Sequence, residues 1–165
     1  MKVKADFCVE CVTCLDVQWC KDNGVETLLL DIDGTLRAEH AKKFSGEVLT
    51  WICSLKDAGI NLCLVSNANE GKVKKIAMEL ELPYIAEAEK PSSLGLKAAM
   101  QAWGYKPKTT VMVGDRRVDI IAGHCAGVRT VRVDRIEDEP KPKKKKKKKK
   151  AKKEKDEDDI QIYAV

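Results

Sequence analysis

The sequence predicts an α/β fold whose centre is a parallel sheet of about five strands. Three observations carry that expectation. Short runs rich in Leu, Val and Ile alternate with longer amphipathic stretches from Thr27 to Val133. Each pair of such runs is separated by one helical stretch, which implies parallel strands joined by right-handed crossovers. Polar residues able to do chemistry recur where the apolar runs end, and sheets of this kind place ligands at the carboxyl ends of their strands.

The elements follow in order. Thr27-Leu28-Leu29-Leu30-Asp31 is an apolar run ending in carboxylates, the pattern of a strand buried on both faces. Ser45 caps a helix through Ala58, with Val48, Ile52 and Leu55 at helical spacing and Gly59 as its stop. Asn61 to Ser66 reads as a second buried strand, and a Lys-rich amphipathic helix follows from about Gly71 to Leu80. Pro83 opens a short extended piece, Tyr84-Ile85-Ala86, and Ser92 or Ser93 caps a helix to Trp103 with Gly104 after it. Thr109 to Val113 is a strand, Val118 to Ala126 a helix closed by Gly127, and Arg129 to Val133 a last strand. Helices on both faces of one sheet make a Rossmann-like three-layer sandwich.

Charge divides the chain. Its 165 residues carry a formal net charge of +5, from 31 Lys and Arg against 26 Asp and Glu. Residues 1–140 hold 19 basic and 21 acidic side chains, whereas residues 141–165 hold 12 Lys against five acids. The body is therefore slightly acidic and the positive charge belongs to a tail. No apolar run approaches the roughly 18–20 residues of a membrane span, and the first residues lack the apolar stretch of a signal peptide. Seven cysteines, an odd number, argue against a disulfide scaffold and for a reducing, cytoplasmic compartment. Three segments are expected: a Cys-containing stretch (1–24) packing on the core, a catalytic domain (25–136), and a Lys-rich then acidic disordered tail (137–165).

The strand ends supply Asp31 and Asp33, Ser66 and Asn67, Lys90, and Asp115. Gly34 and Thr35 suggest a tight turn that aims both carboxylates of Asp31-Ile32-Asp33 inward. Carboxylates crowded this way do not all ionise comfortably without a cation among them. A hard divalent ion with oxygen ligands, Mg²⁺ most naturally, resolves the repulsion and leaves room for an anionic substrate facing Lys90 and the Ser66 hydroxyl.

These residues resemble a known family. Asp31-Ile32-Asp33-Gly34-Thr35-Leu36, Ser66 after an apolar strand, Lys90-Pro91, and Gly114-Asp115-Arg116-Arg117-Val118-Asp119 are similar to the four ordered motifs of the haloacid dehalogenase phosphohydrolase superfamily. The resemblance covers about residues 25–133. It implies a Mg²⁺-dependent phosphatase in which Asp31 is the nucleophile that becomes an aspartyl-phosphate. Asp33 would be general acid for the leaving oxygen and then base for water. Ser66, the Asn67 backbone and Lys90 would hold the phosphoryl oxygens. Asp115 would complete the metal site with the Asp31 side chain and the Asp33 carbonyl, and Thr35, Gly114 and Asp119 would support it, Asp119 either at the metal or by orienting Lys90. The short plan resembles subclass IIIA, and the N-terminal segment with Ser66-Asn67 resembles the YqeG-type branch, which is related to phosphatidylglycerophosphate phosphatases. Gly34 and the four-residue step from Asp115 to Asp119 depart from that branch's usual pattern.

The intervals between motifs leave no space for a cap domain. An open crevice suits a bulky phosphorylated substrate such as a lipid head group, a protein or a nucleic acid end. Cys8, Cys11, Cys14 and Cys20 have spacings that admit a metal site, but steps of three and six also fit one face of a helix with thiols as apolar filler. His40 and His124 are too scattered for a His-based site, Arg37 and Arg116-Arg117 stand where they could touch an anionic substrate, and Trp19, Trp51 and Trp103 read as core packing. Lys143–Lys150 reads as a weak tether to RNA or anionic lipid, which would hold the protein peripherally at such a surface. Two functions compete: the phosphatase, and a non-catalytic α/β scaffold tethered to RNA or a ribosome by the tail.

Overall fold

The computed structural model describes residues 3–140, and the tethering and disorder expected of residues 141–165 lie outside it. Six parallel strands form one sheet in the order β1-β6-β5-β2-β3-β4. They are β1 (Phe7–Val9), β2 (Thr27–Leu30), β3 (Asn61–Val65), β4 (Tyr84–Ile85), β5 (Thr110–Gly114) and β6 (Arg129–Val133). Five of them follow the expected runs closely. The sixth, β1, comes from the Cys-containing N-terminal segment and extends the sheet by pairing Phe7 with Val131 and Val9 with Val133.

The alternation of side chains along the central strands creates two cores. Leu28, Leu30, Leu62, Leu64, Val111 and Val113 face one side, while Leu29, Cys63, Val65 and Met112 face the other. The first face is covered by α2 (Gly46–Asp57) and α3 (Glu70–Leu80), through residues including Trp51, Leu55, Val73 and Leu80. The second is covered by α4 (Leu94–Trp103) and α5 (Arg117–Ala126), through Leu96, Ala99, Ala122 and Ala126. Strands buried on both faces explain why these runs read as continuous apolar stretches.

The helix starts follow capping chemistry. Ser45 Oγ accepts from Val48 N at 3.2 Å and Asn69 Oδ1 accepts from Lys72 N at 2.9 Å. Neither Ser92 nor Ser93 closes an N-cap bond in the usual manner: Ser93 makes no side-chain cap, and Ser92 Oγ accepts from Leu94 N at 3.3 Å. The short α1 (Val17–Asp22), not expected from the sequence, begins at Asp16, whose carboxylate accepts from Trp19 N at 2.8 Å.

Two expectations are corrected. The cysteines do not share a helical face: Cys8 lies on β1, Cys11 and Cys14 flank a short 3₁₀ turn (Val12–Cys14) with their sulfurs 3.7 Å apart, and Cys20 is buried on α1. Burial pushes the Cys20 thiol up to about 11, away from the thiolate a metal needs. Among the described residues, neither group placed to hold a metal ion includes a cysteine. Trp51 is core, with its indole N–H donating to the Leu15 carbonyl at 2.9 Å, and Trp19 meets Phe7 edge-on. Trp103, by contrast, is 42% exposed and stacks on Tyr105, because it is the last residue of α4 and lies beyond the sheet.

Candidate active site

The chain leaves β2 toward β3 and β4 and later returns to the other side of β2 with β5. The gap between β2 and β5 is thus the switch point of the sheet, where two successive loops part and leave a crevice. Asp31 follows β2 and Asp115 follows β5, so the two carboxylates stand side by side at that crevice. Asp31 N–H donates to the Val113 carbonyl at 3.0 Å, which ties the start of its loop to β5.

The loop after β2 turns tightly. Thr35 N and Leu36 N both donate to the Ile32 carbonyl, and Gly34 adopts φ +83°. A Cβ at Gly34 would lie 2.5 Å from Asp115 Oδ2 and 2.7 Å from Arg135 Nη1, so glycine serves both the backbone conformation and the close approach. Thr35, fully buried, places its hydroxyl 2.9 Å from Asp115 Oδ1 and 3.2 Å from Asp31 Oδ2, bridging the two carboxylates with its single proton.

Lys90 reaches this cluster from the loop before α4. Its ammonium contacts Asp31 Oδ1 at 2.9 Å, Asp119 Oδ1 at 2.7 Å and the Val65 carbonyl at 2.8 Å, and its side chain is 1% exposed. Two of these contacts are hydrogen bonds, to Asp31 and to the Val65 carbonyl; the approach to Asp119 is an ion pair, and Asp119 Oδ1 is buried without a hydrogen-bond partner. Asp119 does two things at once. It pairs with Lys90, and its Oδ2 accepts from Arg116 N at 3.1 Å at the start of α5. Asn67 uses its side chain as a clamp on the Lys90 backbone, accepting from Lys90 N at 2.7 Å and donating to Lys90 O at 3.0 Å. Ser66 Oγ accepts from Ala68 N at 3.1 Å.

Three buried carboxylates, Asp31, Asp115 and Asp119, bring ligand oxygens within 4.8 Å of one another. The Asp33 side chain is not in that group. Its Oδ2 pairs with Lys72 Nζ of α3 at 2.6 Å, and its Oδ1 is buried without a hydrogen-bond partner. Asp31, Asp33, Ser66 and Asn67 line one recess of about 80 Å³, together with Glu39, Arg116 and Arg135. Burial raises the Asp31 carboxyl to about 7; the adjacent Lys90 opposes that rise and Asp119 adds to it.

An all-oxygen, buried and negatively charged set suits a hard divalent cation. Burial and the neighbouring Asp119 disfavour the charged form of Asp31, and a cation held here would offset both.

Lys72 and Arg135 were not anticipated from the sequence. Arg135, just past β6, contacts Asp115 Oδ2 at 2.9 Å and Glu39 Oε2 at 3.0 Å. Ile136 N donates to the Gly34 carbonyl at 2.8 Å, and Asp138 accepts from His40 N and pairs with His40 Nδ1. Residues 134–138 therefore lie along the loop that follows β2. Lys72 had a readable signal: it lies in the first turn of α3, where the helix dipole disfavours a cation unless an anion faces it.

The comparisons with known proteins agree with this arrangement. The chain is 29% identical over 114 residues to a probable phosphatase, YqeG, of Bacillus subtilis (strain 168), an alignment covering 68% of this chain and 66% of that protein. It is 36% identical over 88 residues to the phosphoglycolate phosphatase of Neisseria meningitidis, covering 48% of this chain and 37% of the relative. The chain thus spans just under two thirds of the first relative's length and well under half of the second's. Among solved structures, the 3-deoxy-D-manno-octulosonate 8-phosphate phosphatase of Moraxella catarrhalis, in complex with magnesium, phosphate and KDO, shares the fold with a TM-score of 0.56 at 21% identity, over 67% of this chain and 69% of that one. The cobalt-bound deoxy-D-mannose-octulosonate 8-phosphate phosphatase of Haemophilus influenzae gives a TM-score of 0.56 at 17% identity, over 69% and 81%. The family profile of haloacid dehalogenase-like hydrolases matches residues 13–127, a span that holds β2 to α5 and every carboxylate of the buried cluster, and the chain belongs to that family.

Proposed function

We propose that the protein is a Mg²⁺-dependent phosphatase that hydrolyses a phosphate monoester through Asp31. The observation that carries this reading is the buried Asp31–Lys90–Asp119–Asp115 cluster beside a recess that also holds Asp33 and Ser66. Asp31, Asp115 and the Asp33 carbonyl are the groups that hold the cation, with Asp119 close enough to join them. When bound, Mg²⁺ supplies positive charge against the phosphate oxygens and against Asp31.

The chain's own residues do the rest. An Asp31 oxygen forms a bond to phosphorus while the bond to the leaving oxygen breaks, and Asp33 gives that oxygen its proton. Water then attacks the aspartyl-phosphate, Asp33 takes its proton, and the bond to Asp31 breaks to release inorganic phosphate. Lys72 pairs with Oδ2 of Asp33, which leaves Oδ1, buried and without a hydrogen-bond partner, as the oxygen that carries the proton. The Ser66 hydroxyl and the Asn67 backbone N–H bind phosphoryl oxygens. Lys90, hydrogen-bonded to Asp31 and to the Val65 carbonyl, brings positive charge to Asp31 and to the phosphoryl oxygens. Gly34, Thr35 and Gly114 keep the loops close enough for the carboxylates to converge.

The recess opens without an inserted domain over it, since only α3 lies between β3 and β4. An open site of this kind favours a bulky substrate, and a phosphatidylglycerophosphate-like lipid is one candidate. The test is phosphate release from an aryl phosphate with and without Mg²⁺. Asp31→Asn is expected to lower turnover by at least ~10³-fold with the fold intact by circular dichroism. Turnover equal to wild type in that variant would remove Asp31 from the mechanism.

A further inference from the structure

A second cleft, about 640 Å³ in volume, opens beside the catalytic recess on the β6 side. Arg116, Arg117, Arg132 and Arg135 line it, against the carboxylates of Asp134 and Glu137 and the outer edge of Asp115. Arg116 and Arg135 line both cavities, so the two are joined through these side chains. Arg132 is the outward residue of β6 between buried Val131 and Val133, and its Cα pairs in register with Gly114, the last residue of β5. That register sets it beside the loop that carries Asp115.

Arg135 is engaged by Asp115 and Glu39, but helix and strand stability do not call for an arginine at Arg116 or Arg132. Arg116 is the N-cap of α5 and Arg117 its first residue, positions where the helix dipole disfavours cations. Arg132 is exposed on an edge of the crevice, where a small polar residue would serve the strand equally well. A guanidinium fork matches phosphate oxygens bidentately, and several forks around one opening concentrate positive potential there. On a body that is slightly acidic, the four arginines of this lining outnumber its three carboxylates, Asp115, Asp134 and Glu137.

We infer that this cleft is a subsite for a second phosphate group on the substrate, so that the enzyme acts on molecules carrying one phosphate monoester in the recess and another phosphate several bonds away. The inference rests on the phosphatase reading for its substrate, but the cleft itself binds independently of turnover.

Matched pairs of compounds test it: hexyl phosphate against hexane-1,6-diol bisphosphate, with the 5′-phosphorylated dinucleotide pTpT as an arm whose second phosphate is a diester. Wild type is expected to favour at least one of the two doubly charged compounds over hexyl phosphate by tenfold or more in kcat/KM at low ionic strength. Which of the two it favours says whether the second group is recognised as monoester or diester. That preference should shrink at least fivefold in Arg132→Ala, and shrink also as salt is raised, because contacts at an open cleft are screened. Equal kcat/KM for all three compounds, or a loss in Arg132→Ala that is the same for each, overturns the subsite. If no compound is hydrolysed, calorimetric binding of hexyl phosphate and the bisphosphate to the full chain separates the two claims. Tighter bisphosphate binding that is lost in Arg132→Ala supports the cleft while the phosphatase reading falls, and equal binding overturns the cleft as well.

Discussion

Asp31 carries a cost that depends on pH. Burial lifts its carboxyl to about 7, with Lys90 opposing the shift and Asp119 adding to it, so in the metal-free protein the folded state holds a proton there that the unfolded chain gives up near pH 4. A group raised in this way contributes stability that is full below its unfolded value and is lost as pH rises through the folded one. Between about pH 4 and pH 7 the metal-free domain therefore loses this contribution progressively. Asn mimics the neutral form at every pH. In chelator, Asp31→Asn should melt close to wild type at pH 4.5 and above it at pH 8, with a gap that widens across that interval. A constant gap would mean that Asp31 is not the titrating group. At this scale the sequence made Asp31, Asp33, Ser66 and Asp115 legible, because each stands at or just past the stop of an apolar run, and Lys90 as the lysine that follows the short strand β4. Arg135 was not, because it is one cation among many on a polar stretch and its partners, Asp115 and Glu39, are remote in sequence; Lys72 offered only its first-turn position on α3, which does not name Asp33 as the partner.

Between β5 and α5 the chain packs tightly against itself at Gly114. A Cβ at Gly114 would fall inside the Asp119 carboxylate, which is buried and already fixed by Lys90 and by the Arg116 N–H. Gly114→Ala must therefore displace Asp119, and overpacking of this kind costs about 1–3 kcal/mol. Because Asp119 also holds Lys90, turnover should fall further than the stability loss alone explains. The expected result is a lower melting temperature with kcat reduced at a temperature where the variant is fully folded. A variant that melts lower but keeps wild-type kcat would show that Asp119 can move without disturbing Lys90. Elements were legible in proportion to their burial. β2, β3 and β5, whose central residues are buried on both faces, announced themselves as unbroken apolar runs. β1 did not, because three residues on a sheet edge, with Cys8 exposed between Phe7 and Val9, carry too little pattern, and their strand partner β6 is remote in sequence.

Over the whole molecule, the proposed cation ties stability and metal occupancy into one equilibrium. Three carboxylates crowded at the switch point are tolerated in the metal-free fold only through Lys90, Arg135, the Thr35 proton and the proton retained near Asp31. A divalent cation that binds the folded state alone adds RT ln(1 + [L]/Kd), about 2.7 kcal/mol at a hundredfold excess over Kd. For a chain of this size each kcal/mol moves the melting point by roughly 2–4 °C. Saturating Mg²⁺ should thus raise the melting temperature by roughly 5–10 °C over the same protein in chelator. The site predicts who is responsible for that shift. Asp115→Asn removes a charge from the cluster and frees Arg135, so most of the Mg²⁺-dependent rise should vanish even if the variant's own melting point in chelator changes little. A full rise in Asp115→Asn would place the ion elsewhere, and a rise that survives Asp33→Asn is expected, because the Asp33 carboxylate is turned to Lys72 and only its backbone carbonyl faces the cation in the proposed arrangement. The difference between those two variants separates a carboxylate that holds charge in place from one reserved for moving protons.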